Sequence, residues 1–136
     1  MKTNTSITLY NKYFDKATRM DKYQRTILEN VFFDDRKAVN KLQSGMENAD
    51  EAMIVIPFSV ISNRSYKRPM EFQNLIEKTS NFTLKEGDRI VKGAINFDIE
   101  GRLSDLDKNY EAYTITSVDT KDFGSPRMQH FEIGCR

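Results

Sequence analysis

Apolar and polar residues alternate along much of this chain, the period-two pattern of strands whose side chains point in turn to opposite faces. Ile7 and Leu9, continued by Asn11 and Tyr13, share one face of an extended segment, with Thr8, Tyr10 and Lys12 on the other. A polar, turn-like stretch from Lys16 to Asp21 follows. A second long strand is predicted within Tyr23 to Phe33, where Ile27, Glu29, Val31 and Phe33 share one face and Leu28, Asn30 and Phe32 the other. The two strands are placed to form a hairpin.

From Asp34 to Ala49 apolar residues are scattered and Gly45 lies inside the stretch, so the pattern predicts a long exposed loop rather than a helix. Met53-Ile54-Val55-Ile56-Pro57-Phe58 is continuously apolar, as in a strand buried on both faces, with Pro57 marking its end. Asn63 to Arg68 is polar and basic. Pro69 suits the first turn of a short helix whose Met70, Phe72, Leu75 and Ile76 are spaced for one apolar stripe. Phe82-Thr83-Leu84, Lys85-Glu86-Gly87-Asp88 and Arg89 to Gly93 read as strand, tight turn and strand, Gly87 supplying the positive φ of a hairpin turn.

Leu103, Leu106 and Tyr110 predict a short helix packed across an opening of the sheet. Tyr113, Ile115 and Ser117 alternate in a further strand reaching Val118. After a polar loop, Phe131, Ile133 and Cys135 share one face of a last strand from Met128. Many strands, one or two short helices and no repeating strand-helix pattern predict a mainly β fold, a small barrel or sandwich. It is read as one domain over residues 1–136, with extended loops near 34–50, 62–69 and 119–127.

Composition narrows the function classes. Lys and Arg number 21 against 20 Asp and Glu, a net charge of +1, too balanced for the broad basic field of non-specific nucleic-acid binding. Nine Phe and six Tyr give a polar chain the large apolar side chains a core needs. The single cysteine, Cys135, can form neither an intrachain disulfide nor a zinc cluster. No signal-peptide pattern and no run of about 20 apolar residues occurs, so synthesis in the cytoplasm without membrane insertion is expected. Sequons at Asn4, Asn63 and Asn81 are read as chance matches in that setting.

Catalytic signals are weak throughout, and no enzyme is expected. Asn96, Asp98 and Glu100 alternate before Gly101, with Ser104 and Asp107 beyond, a near-miss to a calcium-binding loop. The first ligand is Asn, the last is Asp instead of a bidentate Glu, and a strand precedes it; a polar turn in which Gly101 starts a helix is the preferred reading. His130 is the lone histidine and has no recognisable partner for acid-base work or metal ligation, so neither a metal nor a cofactor is expected. Nucleophile-elbow and phosphate-loop patterns are absent. Arg64-Ser65-Tyr66-Lys67-Arg68 joins cations to an aromatic, as a single-strand-binding groove of an oligonucleotide-binding barrel does, although the balanced charge favours a solvated loop.

Three stretches together carry a resemblance: Phe82 to Gly93, Thr114 to Asp119, and Gly124 to Gly134. They resemble minor structural proteins of tailed bacteriophages, especially the head-closure or stopper proteins of the neck, in a Gly-Asp turn before a strand, a strand ending in Val-Asp, and a glycine-containing loop before a closing strand. The resemblance implies a compact β-barrel of the virion neck, made in the host cytoplasm. Such a barrel assembles with itself in a ring between portal or adaptor and tail proteins, and its loops touch neighbours or gate the channel, with transient contact to genomic DNA. The near-neutral charge suits a channel through which DNA must slide. Expected contact residues are Arg36, Lys37 and Lys41 in the first loop, Arg64, Tyr66 and Arg68 in the second, and Asp122 and Arg127 in the third. Another tail-completion ring protein and an oligonucleotide-binding module are the alternatives.

Overall fold

A computed structural model describes residues 3–35, 51–60 and 64–136. Six antiparallel strands close into a barrel in the order β1-β2-β3-β8-β7-β6, which settles barrel against sandwich. They are β1 (Thr5–Asp15), β2 (Met20–Asp35), β3 (Ala52–Pro57), β6 (Arg89–Lys92), β7 (Ala112–Lys121) and β8 (His130–Cys135). Closure leaves no full-length sheet edge in the barrel wall. Two short parallel strands, β4 (Ser65–Tyr66) and β5 (Asn81–Phe82), pair with each other outside it.

The interior is filled by the alternating residues that the pattern singled out, Ile7 and Leu9 on β1 and Phe131, Ile133 and Cys135 on β8, together with Ile54 and Ile56 on β3; Met53 and Val55 are only half-buried, so β3 is not buried on both faces as its continuous apolar run suggested. β1 and β2 form the expected hairpin, with Arg19 in the turn at φ 56°. The assignment of faces on β2 needs correction. Gln24, Thr26 and Leu28 are buried, Glu29 and Asn30 are both exposed, and Val31 and Phe33 are buried. Thr5 pairs with Val31 but Ile7 with Leu28, so β2 carries one extra residue at a bulge where Asn30 takes φ 62°. That residue shifts the register by one, and Leu28 rather than Ile27 enters the core.

Phe82 to Gly93 is not a hairpin. Gly87 does turn the chain at φ 93°, but Phe82 pairs with Tyr66, while β6 pairs with β1 and β7. Residues 64–88 instead fold over the end of the barrel where β3 finishes and β8 starts, adding Phe82 and Leu84 to its core. Within that connection a helix spans Pro69–Asn74 with Pro69 in its first turn. Its expected stripe is not formed: Phe72 is buried, but Met70 is 79% and Ile76 104% exposed.

The helix Leu103–Asn109 does not bridge an opening. Its Leu106 packs with Tyr10, Val91 and Ile99 on the outer face of β1 and β6, a second apolar layer. Tyr10 ties this layer down by donating from its hydroxyl to the Phe97 carbonyl at 2.5 Å, and burial pushes its pKa up to about 12. β1 is therefore buried on both faces along Ile7 to Asn11.

The loops are shorter than the sequence suggested. Asp34 and Asp35 belong to β2, and the rest of the first loop lies outside the described residues. Ser65 and Tyr66 form β4, and Asp119 to Lys121 continue β7, so the third loop starts at Asp122. Backbone pairing of Asp119 with Glu132 and Lys121 with His130 satisfies this stretch despite its polarity.

Candidate functional site

A groove of about 720 Å³ opens between Phe58, the segment 66–84, the end of β7 and the start of β8. Pro57 ends β3 and turns Phe58 outward, and the Phe58 amide is held by the Gln129 carbonyl at 3.1 Å. The pairing of β4 with β5 sets Tyr66 over the barrel end, where its ring lies 4.7 Å from Phe131 and 5.8 Å from Phe82. Phe58 meets the same Phe131 ring at 4.8 Å. Leu84 and Val118 complete an apolar floor, and Arg68, Thr120 and Asp122 supply polar rim groups. Burial pushes the Tyr66 hydroxyl above its ordinary pKa, opposed by nearby Arg68 and reinforced by Glu71, so it stays a neutral phenol.

The structure thus brings Tyr66, Arg68 and Asp122 together, three of the expected contact residues. Arg127 does not line the groove; it is exposed in the 3₁₀ turn Pro126–Met128, in the loop that Asp122 opens. Arg64 belongs elsewhere. Its guanidinium donates to the carbonyls of Arg25 and Thr79 and, at 2.7 Å, to Thr26 Oγ1, pinning the connection to β2. Arg36, Lys37 and Lys41 lie outside the described residues. Sequence reasoning missed Phe58, assigned to a buried run, and Phe123 and Met128, which are 71% and 59% exposed. An aromatic in an otherwise polar loop was the available signal for Phe123.

The loop bearing Phe123 has a defined shape. Gly124 turns it at φ 84°, the Met128 amide donates to Ser125 at 2.8 Å, and Gln129 Nε2 reaches the Gly124 carbonyl at 3.4 Å. Phe123 is thereby presented to solvent beside the groove residue Asp122.

Other polar groups are committed to structure. Asp98 and Asn96 both accept from Arg25, at 2.8 and 3.2 Å, and Asp107 pairs with Arg89 at 3.6 Å, so two different arginines draw apart the carboxylates of the calcium-loop near-miss. Among the described residues no group of three His, Cys, Asp or Glu side chains is arranged to hold a metal. His130 lies on the outer face of β8, with Nδ1 2.7 Å from the Met128 carbonyl and Nε2 3.1 Å from Glu132. A second cavity of about 480 Å³ lies where the β1–β2 hairpin meets residues 73–79, lined by Tyr13, Phe14, Gln24 and Lys78 among others. No described helix is long and apolar enough to cross a membrane.

Fold and site define a small closed antiparallel barrel with an aromatic groove at one end. The chain belongs to a family of unknown function, DUF6751, whose model matches residues 2–136. No curated protein and no solved structure matches it.

Proposed function

We propose that this chain is a structural protein of a bacteriophage virion neck, joining head to tail as a ring subunit and acting through assembly and gating rather than turnover. The observation that carries this reading is the pairing of an apolar aromatic groove with exposed Phe123 and Met128 at the same end of a closed barrel. Apolar side chains of this size, rimmed by polar groups, are what protein interfaces are made of. The sequence resemblance points the same way, and whether the ring closes the head or completes the tail is set by the neighbours it binds. The test is assembly of the purified chain, alone and with portal, adaptor and tail proteins, followed by sedimentation and imaging of particles. Rings at the neck are expected; a chain monomeric in every mixture overturns the reading.

The closed barrel and its aromatic rings also support an oligonucleotide-binding module. Charge weighs against it: among the described residues the groove is lined by one cation, Arg68, and one carboxylate, Asp122, and Arg64 is engaged with backbone carbonyls. Strand binding through phosphates would weaken steeply with salt, so a titration showing no salt-sensitive affinity for single strands removes this alternative.

A further inference from the structure

We propose that the groove receives the Phe123 loop of a second copy of this chain, a head-to-tail contact in which Phe123 is the knob and the space between Tyr66, Val118 and Phe131 is the hole. The inference rests on the ring reading and deepens it by naming the contact. Two surfaces on one chain support it. Phe123 is 71% exposed although the groove beside it has room for an aromatic side chain with its flanking residues, so the knob is not spent on its own molecule. The loop is held in shape by the Met128 and Gln129 hydrogen bonds, which limits the ordering cost of docking.

Charge suits a second copy. Among the described residues the hole is rimmed by Arg68 and Asp122, and the loop that bears Phe123 carries Asp122 and exposed Arg127, so each side offers the other one charge of each sign. Among the described lining residues a nucleic-acid strand would meet one cation and one carboxylate, no net charge to hold phosphates. The contact is taken head to tail, the knob of one copy in the hole of the next, so that it repeats from copy to copy and makes a ring when the rotation closes; a two-fold exchange of knobs would stop at a dimer and overturn it.

The test uses the full chain in three forms. Phe123→Ser removes the knob and leaves the hole. Thr120→Arg places a long side chain into the hole from an exposed position on β7 and leaves the knob. Wild type is expected to self-associate in sedimentation, and each variant to weaken self-association about tenfold or more, the effect of losing an aromatic anchor. An equimolar mixture of the two is expected to form a dimer and nothing larger, because only one competent knob-hole pair exists. Far-ultraviolet circular dichroism and melting check that both variants are folded. Phe123→Ser assembling like wild type, or a mixture that stays monomeric, overturns the knob assignment while the ring reading stands. Thr120→Arg assembling normally but altering retention of a single-stranded oligonucleotide or of another neck protein assigns the groove to that occupant and overturns it too. Wild type that remains monomeric with every neck component present refutes the ring reading, and this contact with it.

Discussion

Asp88 is a carboxylate within the fold, 3% exposed, whose oxygens accept from Asn11 Nδ2 at 2.9 Å and from the Lys12 amide at 3.3 Å. Asn11 is itself fully buried and also bonds both the amide and the carbonyl of Thr83, stitching β1 to the chain crossing the barrel end; Thr83 Oγ1 finds no partner among the described residues. Asn11→Ala leaves a buried carboxylate and a buried peptide group short of partners, and is expected to lower stability by about 3 kcal/mol in urea denaturation. Burial raises the Asp88 pKa, with the Asn11 and Lys12 hydrogen bonds pulling the other way. A raised folded value means that the folded chain holds the proton longer than the unfolded chain. The Asp88 contribution is then most favourable below the ordinary carboxylate range and declines as pH rises through the raised value. Asp15 and Glu77 are lowered, Asp15 chiefly by its hydrogen bond from Lys22 and Glu77 by that from Thr79, and their contributions fade in the opposite direction, as pH falls. Comparing wild type with Asp88→Asn isolates the buried group: the difference in stability should shift against wild type as pH is raised from 3 to 7, about the span over which a shifted carboxylate titrates. A pH-independent difference would mean that the carboxylate is not shifted.

At the scale of elements, the β2 bulge decides which side chains face inward. Asn tolerates the left-handed backbone that Asn30 adopts, whereas a β-branched residue does not. Asn30→Val is expected to cost about 1–2 kcal/mol and Asn30→Gly close to nothing in thermal or urea unfolding. Equal losses from both would show that the Asn30 side chain, not its backbone, matters. Strict alternation reads Ile27 as the inward residue because periodicity has no means of registering an inserted one. Strand existence, by contrast, was legible: β1, β3, β7 and β8 follow their hydrophobic patterns, and Pro57 ends β3 where a residue without an amide proton must. Pairing was not legible for Phe82, since a strand-turn-strand pattern fixes a bend but not the partner on either side. The helix Pro69–Asn74 shows the same limit, its start set by proline and its buried face reduced to Phe72 by what packs against it.

The whole molecule is a barrel with a second apolar layer laid on one flank. Leu106 is fully buried there, and Leu106→Ala is expected to cost about 2–4 kcal/mol. Hydrogen exchange should show protection lost first over Ile95 to Tyr110, with β3 and β8 retained, because those strands share the inner core and not the outer layer. Equal loss in β3 and β8 would make the two layers one cooperative unit. The groove belongs to this scale as well, since residues from 58 to 131 converge on it only after the connection has folded over the barrel end. Tyr66, Arg68 and Asp122 were legible as polar or aromatic loop residues, but not as neighbours. The sequence by itself determined that strands would dominate, where most of them lie and which residues of β1 and β8 share the inner face, because alternation is a local property of the chain. Only the tertiary structure decided barrel closure, the bulged register, the covering of β1 on both faces and the meeting of the aromatic rings, because each depends on contacts between residues far apart in sequence.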